Sequence, residues 1–226
     1  MTHLLTGAGS GIGQAVADAL HARGAELLLV ARSESRAADL AERYDGATVL
    51  VADLADPASI SALELPGELA SVTHGAGVVD LGPVAELTTE QWRAQIEVNL
   101  LAPVELTRLA LPALRRAKGT VVLVNSGAGL RAPPTWSAYA ASKFGLRAFA
   151  DALRQEEAEH GVRVTTVFPG RVATPMQEKV HEQEGREYDA GDWIDAATVA
   201  SAILHVLDLP RDATVPDVSI SPGPKS

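Results

Sequence analysis

The stretch Thr6-Gly7-Ala8-Gly9-Ser10-Gly11-Ile12-Gly13 joins a short apolar run to an amphipathic segment near the start of the chain. Its glycines fit a tight turn in which a pyrophosphate approaches the backbone and rests on the N-terminus of the following helix. The spacing is not G-x-G-x-x-G, because position 12 is Ile, and an ordinary strand–helix turn is the alternative. The position within the first strand–helix unit favours dinucleotide binding. The predicted contacts in this turn are Gly7, Ser10, Gly11, Ile12 and Gly13.

Outward from this turn, short apolar runs alternate with amphipathic segments along the chain. Runs such as 27–30 and 121–124 are apolar throughout, which is typical of strands covered on both faces. The predicted strands are 3–6, 26–31, 47–52, 71–74, 120–125, 163–168 and 217–220. The predicted helices are 11–23, 33–43, 57–63, 89–117, 136–159 and 195–208. This alternation predicts an α/β fold, a doubly wound parallel sheet of about seven strands with helices on both faces, as in Rossmann-like proteins.

The length of 226 residues suits one domain with a large core, so we expect residues 1–226 to form a single dinucleotide-binding domain. No linker or internal repeat divides the chain. Segment 176–195 is polar and acidic, and we interpret it as a loop that covers the substrate as a lid.

Composition argues against several classes of function. The net charge of −10 disfavours non-specific binding to nucleic acid or to an anionic membrane surface. The chain has no cysteine, and its six histidines are scattered, so we interpret the histidines as surface or incidental residues and expect no metal site. No apolar run reaches 18 residues, and the first strand begins too early for a signal peptide. We therefore expect a cytoplasmic protein without membrane or nucleic-acid partners.

Tyr139 and Lys143 stand four residues apart, and Ser126 lies thirteen residues before Tyr139. Four residues make about one helical turn, so the phenol and the ammonium should share one face of a helix. A nearby cation favours phenolate, which should lower the tyrosine pKa and suit the group to general acid–base work. Taken singly, an amphipathic helix pair and a strand-end serine would explain these residues. Their order after the glycine turn favours proton transfer at a carbonyl or an alcohol.

The choice of dinucleotide depends on the residues that follow the second predicted strand. A carboxylate there would bind the ribose 2′-hydroxyl, whereas an arginine would accept a 2′-phosphate. The sequence has Arg32 and Ser33 at this point and no carboxylate. We therefore expect NADP(H) to be preferred, with contacts from Arg32 and Ser33, and NAD to be possible. The alternative is that Arg32 is a solvated cation at the start of a helix.

With these residues identified, the chain resembles the short-chain dehydrogenase/reductase family, in its compact single-domain branch, from the first strand to the last. The stretch from Thr6 to Gly13 matches the cofactor turn of the family, and Gly75-Ala76-Gly77 matches the end of its Asn-Asn-Ala-Gly motif. The catalytic residues that the resemblance implies are Asn99, Ser126, Tyr139 and Lys143. The further cofactor contacts that it implies are Asp53, Leu54, Gly75, Tyr139, Lys143, Pro169, Gly170, Val172 and Thr174.

The chain departs from the family pattern in three places. His74 and Gly75 stand where two asparagines are usual, so a hydrogen-bonding set near the cofactor is lost or replaced. Ser10 stands where many NADP-dependent members carry a basic residue, so the NADP preference depends on Arg32. The C-terminus lacks the usual glycine pair after the last strand, so closure of the site or subunit packing should differ there.

The resemblance implies a role for each catalytic residue. Tyr139 donates the proton when the carbonyl is reduced and accepts it in the reverse direction. Lys143 lowers the tyrosine pKa and binds the nicotinamide ribose. Ser126 orients and polarises the substrate oxygen. Asn99 holds a water molecule that links Lys143 to solvent.

These observations predict an NAD(P)-dependent oxidoreductase that interconverts an alcohol with a ketone or aldehyde, and the expected substrate is small or medium and mostly uncharged. One alternative is a non-catalytic dinucleotide-binding redox sensor, which has no need of all four catalytic residues. The other is a nucleotide-sugar epimerase or dehydratase, whose C-terminal substrate region is longer. The predicted helices 89–117 and 136–159 correspond to helices that pair between subunits in the family, so we expect a homodimer or homotetramer.

Overall fold

A computed structural model describes residues 1–224, and residues 225 and 226 lie outside the described part of the chain. Seven parallel strands form one sheet in the order β3-β2-β1-β4-β5-β6-β7. The strands are β1 (Thr2–Thr6), β2 (Glu26–Ala31), β3 (Thr48–Val51), β4 (Ser71–His74), β5 (Thr120–Val124), β6 (Arg163–Pro169) and β7 (Asp217–Ile220). The predicted strands 26–31, 71–74 and 217–220 are confirmed with the same bounds, three others differ by one residue at one end, and the predicted strand 47–52 is one residue too long at each end.

Helices cover both faces of this sheet, as predicted for a doubly wound fold. They are α1 (Gly11–Ala22), α2 (Glu34–Arg43), α3 (Pro57–Ser61), α4 (Thr89–Ile96), α5 (Ala102–Ala117), α6 (Ser137–Glu156), α7 (Pro175–Glu184) and α8 (Ala196–Asp208). Successive strand residues point to opposite faces, so Leu4 packs in one core and Leu5 in the other. The first core contains buried residues of α5 and α6, and the second contains buried residues of α1 and α8.

The predicted helix 89–117 is continuous, but its middle is wound differently. A π-type turn spans Glu97–Leu101 and separates α4 from α5. Such wider turns are rare and frequently lie at functional sites. Asn99 is the central and buried residue of this turn.

The prediction of a loop at 176–195 is wrong for half of that segment, because α7 occupies Pro175–Glu184 and a short 3₁₀ turn occupies Ala190–Asp192. The helix begins at Thr174, whose side chain accepts a hydrogen bond from the Gln177 N–H, with Pro175 in the first helical position. It ends at Gly185 in the left-handed conformation. Its composition obscured it, because α7 is mostly polar and offers few apolar residues from which a periodic pattern can be read.

The interpretation of the histidines as surface or incidental residues is wrong for His74 and His181, which are both buried. The His74 ring Nε2 lies 2.8 Å from the hydroxyl oxygen of Thr107 on α5, so this pair joins β4 to a helix on one face of the sheet. Burial lowers the pKa of His74 from its usual 6.5 to about 3. The ring is therefore neutral at physiological pH.

Replacement of His74 by Gln should flatten the dependence of stability on pH under mildly acidic conditions. The unfolded histidine gains a proton as the pH falls through 6.5, whereas the folded one resists protonation down to about 3, so the native state loses stability in that window. Urea unfolding at several pH values measures the free energy of unfolding. As the pH falls below 6.5, that free energy should decrease faster for the wild type than for the variant, by about 1 kcal/mol per pH unit. Parallel pH profiles for the two proteins would contradict this assignment.

Candidate active site

A cavity of about 800 Å³ opens at the carboxyl ends of the strands, where the strand order reverses between β1 and β4. This reversal is where ligands bind in open α/β sheets, because the loops on either side diverge. The residues predicted as cofactor contacts that line the cavity are Gly7, Ser10, Gly11, Ile12, Arg32, Asp53, Leu54, Gly75, Tyr139, Lys143, Pro169, Gly170, Val172 and Thr174. Gly13 and Ser33, which were also predicted, do not line it.

The glycine turn packs backbone against backbone. Gly7 has a φ of +78°, and a Cβ on it would lie 2.7 Å from the amide nitrogen of Ala76. A Cβ on Gly13 would lie 2.3 Å from the carbonyl oxygen of Gly7. Gly13 therefore shapes the turn from behind instead of facing the cavity.

The N-terminus of α1 faces this cavity without a side-chain cap. The serine, threonine and aspartate residues that precede α2, α3, α4, α7 and α8 each accept a hydrogen bond from the first helical turn, whereas Ser10 before α1 accepts none. Backbone N–H groups at a helix N-terminus bind anions, and the helix dipole adds to that attraction. The observed turn therefore fits a phosphate-bearing ligand.

The end of the cavity near β2 carries two more arginines than the sequence predicted. Arg36 and Arg43 of α2 line it with Arg32, and Asp39 of the same helix lines it too. Arg43 is held by Asp18 through a bidentate contact at 3.0 and 3.1 Å, while Arg36 is exposed and only loosely paired with Asp39. Ser33 serves α2 as its N-cap and accepts a hydrogen bond from the Arg36 N–H.

Three of the four predicted catalytic residues line the same cavity as the glycine turn. Ser126, which follows β5, accepts a hydrogen bond from the Ala128 N–H at 3.1 Å. Tyr139 and Lys143 lie on one face of α6, and the Lys143 ammonium donates to the Val124 carbonyl at 3.0 Å. The arrangement thus places a hydroxyl, a phenol and an amine at one end of the cavity.

Asn99, the fourth predicted catalytic residue, does not line the cavity. Its side-chain oxygen accepts from the Val78 N–H at 2.8 Å, and its amide donates to the Val78 carbonyl at 2.9 Å and to the Ser142 hydroxyl at 3.1 Å. Ser142 in turn donates to the Tyr139 carbonyl at 2.7 Å. The Asn99 side chain therefore connects the cavity wall at Val78 to the backbone of the helix that carries Tyr139.

A second amide, which the sequence reasoning missed, holds the serine against the same helix. Asn125 accepts a hydrogen bond from the Ser126 N–H at 2.8 Å and donates to the Lys143 carbonyl at 3.0 Å. A Cβ on Gly129 would lie 2.4 Å from the Asn125 side-chain oxygen, so only glycine leaves room for this contact. The buried Asn at a strand end, with a glycine four residues later, was the available signal.

The charge states of Tyr139 and Lys143 differ from the sequence prediction. Burial raises the pKa of Tyr139 to about 12, and a hydrogen bond with Ser126 opposes this only partly. Burial also lowers the pKa of Lys143 to about 8. The predicted lowering of the tyrosine pKa by Lys143 is therefore wrong for the protein's own groups. The ammonium lies 5.7 Å from the centre of the phenol ring and donates to a backbone carbonyl instead.

Segment 169–174 contributes Pro169, Gly170, Val172 and Thr174 to the cavity lining and leads into α7. Val172 pairs with Ile194 in a parallel bridge, so the start and the end of the α7 region are joined at their base. A Cβ on Gly170 would lie 2.9 Å from Pro222, which packs here after the last strand. Pro222 thus packs against Gly170 in the cavity lining, after the last strand, where the family that the sequence resembles usually has a glycine pair.

In the described part of the chain, no group of three or more metal-ligating side chains lies close enough together to hold an ion. No helix there is long and apolar enough to cross a membrane.

Comparison with known proteins matches this geometry to a family. The sequence model described as short chain dehydrogenase matches residues 2–185. The chain belongs to the short-chain dehydrogenase family. It is thus an oxidoreductase by family, and the resemblance inferred from the motifs is confirmed.

Relatives of this short-chain dehydrogenase extend over nearly its whole length. An uncharacterised oxidoreductase of Staphylococcus epidermidis is 30% identical over 226 residues, which cover 97% of this chain and 96% of that protein. The structure of an alcohol dehydrogenase from the archaeon Thermococcus sibiricus, complexed with 5-hydroxy-NADP, has a TM-score of 0.82 and 27% identity and covers 97% of this chain and 95% of its own. The structure of an actinorhodin polyketide ketoreductase with NADPH has a TM-score of 0.88 and 27% identity and covers 98% of this chain and 96% of its own.

Replacement of Gly13 by Ala should weaken NADPH binding by about tenfold or more and lower the melting temperature, because the added methyl group meets the Gly7 carbonyl. Gly67→Ala is the matched control, since nothing lies within 4 Å of a Cβ at that position and Gly67 does not line the cavity. NADPH fluorescence titration and thermal unfolding of both variants provide the measurements. Equal affinities in the two variants would show that the Gly13 contact does not shape the binding turn.

Proposed function

We propose that this short-chain dehydrogenase interconverts an alcohol with a ketone or aldehyde by hydride transfer, with Tyr139 as the general acid or base and with NADPH as the preferred cofactor. The observation that carries the proposal is that Ser126, Tyr139 and Lys143 line one cavity together with the uncapped glycine turn. The proposed unit is the single domain 1–226, with 176–195 as its lid.

The residues present fit a nicotinamide dinucleotide. The glycine turn leaves its backbone open to a pyrophosphate, and the arginines near β2 suit the adenosine end. Segment 169–174 lies on the cavity wall beside Tyr139 and would hold the nicotinamide. The cofactor supplies or accepts the hydride when it is bound.

Each protein group then has a defined task in carbonyl reduction. The Ser126 hydroxyl donates a hydrogen bond to the substrate oxygen and stabilises the negative charge that develops there. Tyr139 transfers its phenolic proton to that oxygen. Lys143 stabilises the resulting phenolate, since its pKa of about 8 keeps it mainly protonated at neutral pH. Asn99 fixes the position of the Tyr139 backbone relative to the cavity wall, because it hydrogen-bonds both Val78 and Ser142, and Ser142 donates to the Tyr139 carbonyl.

Tyr139→Phe should abolish turnover, by at least about a thousandfold in kcat, because the phenylalanine ring has no proton to transfer. NADPH binding should stay within a few-fold of wild type, since the ring and its packing against Trp136 are retained. Steady-state assays against a panel of ketones and aldehydes, with NADPH titrations in parallel, measure both quantities. Turnover that survives in the variant would refute the role of Tyr139. A wild-type protein that binds NADPH and turns over no carbonyl would favour the redox-sensor alternative.

The NADPH preference rests on Arg32, with Arg36 on the same side of the cavity. An exposed guanidinium forms bidentate contacts with a 2′-phosphate that a ribose hydroxyl cannot replace. Arg32→Asp should therefore raise the KM for NADPH about a hundredfold and change the KM for NADH much less. Equal changes in the KM for NADPH and the KM for NADH would contradict the assignment of Arg32 to the 2′-phosphate.

We also propose that the protein is a homodimer or homotetramer. Leu101 and Phe144 are each 42% exposed, although both are large apolar side chains on the α4–α5 and α6 helices. Exposed apolar side chains on neighbouring helices suit packing against a second copy. Light scattering at assay concentration should give at least twice the monomer mass of 23.6 kDa, and Phe144→Glu should shift it toward the monomer. A wild-type monomer would contradict the proposal.

A further inference from the structure

A small apolar cluster fills the space between Tyr139 and the helix α7. We call it the lid cluster, and its members are Val79, Leu81, Ala128, Trp136, Tyr139, Ala140, Met176 and Val180. Trp136 packs edge-on against Tyr139 with ring centres 5.7 Å apart. The cluster thus joins the phenol to α7 through apolar contacts.

Met176 lies at the boundary between the lid cluster and the large cavity. Among the described residues, Met176 and Tyr139 are the members of the cluster that also line the cavity. The Met176 methyl carbon lies 3.7 Å from the point that a Cβ on Gly77 would occupy, and the Lys143 ammonium lies 3.9 Å from the same point. A flexible thioether therefore lies near the Lys143 ammonium at the edge of the apolar cluster, and methionine adapts its shape at low cost.

Two of the cations that border the lid cluster are already paired with carboxylates. Lys179 donates to Asp80 at 2.6 Å and to the Val79 carbonyl at 2.8 Å. Arg171 binds Glu184 through two hydrogen bonds of 2.9 and 2.6 Å, and its guanidinium lies 5.8 Å from the centre of the Trp136 ring. An anionic substrate would have to displace Asp80 or Glu184 before either cation could bind it.

We propose that the part of the cavity bordered by Tyr139 and Met176, at the edge of the lid cluster, is the seat of the substrate's carbon skeleton, that it accepts an uncharged ketone or aldehyde with an apolar substituent, and that Met176 sets the size of that substituent. The inference rests on the carbonyl chemistry proposed above and adds the substrate class to it. An apolar substituent there leaves water and packs against the Met176 side chain. A carboxylate on that substituent loses its water, while Lys179 and Arg171 are already occupied by Asp80 and Glu184.

The charge arm of the test compares acetophenone with 4-acetylbenzoate, which differ by one carboxylate. Dissociation constants come from ligand-detected NMR titrations of the enzyme with NADP⁺, and kcat/KM values come from assays with NADPH. Acetophenone should bind about a hundredfold more tightly than 4-acetylbenzoate. Asp80→Asn keeps the oxygen that accepts from Lys179 and removes its charge, so discrimination against the carboxylate should fall about tenfold.

The size arm compares acetophenone with butyrophenone. Met176→Ala should shift the ratio of their dissociation constants, and of their kcat/KM values, about tenfold toward butyrophenone. Glu178→Ala is the matched control, because this exposed neighbour lies on the same helix outside the cluster. It should leave both ratios unchanged.

The outcomes separate this inference from the proposed reaction. Turnover with equal binding of acetophenone and 4-acetylbenzoate, or a size ratio that Met176→Ala leaves unchanged, would overturn the inference and leave the reaction standing. Selective binding of acetophenone without any turnover would support the apolar seat and overturn the proposed reaction.

Discussion

Backbone meets backbone without an intervening side chain where β1, β4 and the start of α1 converge. A Cβ on Gly7 would strike the Gly75 and Ala76 backbone, one on Gly13 would strike Gly7, and one on Gly75 would lie 2.8 Å from the Thr6 carbonyl. These contacts bring two neighbouring strands and one helix N-terminus as close together as the chain permits. The cavity opens beside them, so the shape of its glycine-turn end in this chain depends on these three positions carrying no side chain. They also give a physical reason for Gly75 where the family pattern has asparagine, since the larger side chain would require the Thr6 backbone to move.

The end of the cavity that carries Ser126, Tyr139 and Lys143 depends on side-chain hydrogen bonds between elements that are distant in sequence. Asn99 in the π-type turn reaches both Val78 and Ser142, and Asn125 joins the Ser126 backbone to α6. Both amides are buried, so loss of a partner would leave a desolvated polar group and cost about 1–3 kcal/mol. Such hydrogen bonds fix the serine and the tyrosine relative to each other more tightly than apolar packing alone. This pair lies beside the lid cluster, where apolar contacts dominate and movement costs less.

Much of the fold could be predicted from the sequence, because continuous apolar strands and glycine turns are local signals. Strand β2 and the glycine turn needed no long-range information. Helix α7 was missed since its stabilising contacts, such as Lys179 with Asp80, join segments about a hundred residues apart. The same reason applies to His74, whose hydrogen bond to Thr107 comes from a distant helix.

The order of motifs identified Ser126, Tyr139 and Lys143 as residues of one site, but spacing on a helix gave the wrong pKa direction for Tyr139. Helical spacing predicts proximity and says nothing about desolvation, which dominates when a group is buried.

That desolvation bears on the direction of the proposed reaction. Burial favours the neutral phenol of Tyr139, so at neutral pH the tyrosine holds the proton that carbonyl reduction requires. An alkoxide is a stronger base than a phenolate, even one whose conjugate acid has a pKa of about 12, so the proton transfer remains favourable in that direction. Alcohol oxidation requires the phenolate instead, and burial opposes its formation. Positive charge near the ring and hydrogen bonds to the phenolate oxygen offset this cost, and the Lys143 ammonium, 5.7 Å from the ring centre, and the Ser126 hydroxyl are the groups placed to supply them. The protein's own groups therefore hold Tyr139 in the protonated state that the proposed reduction uses, while the Lys143 ammonium donates to the Val124 carbonyl.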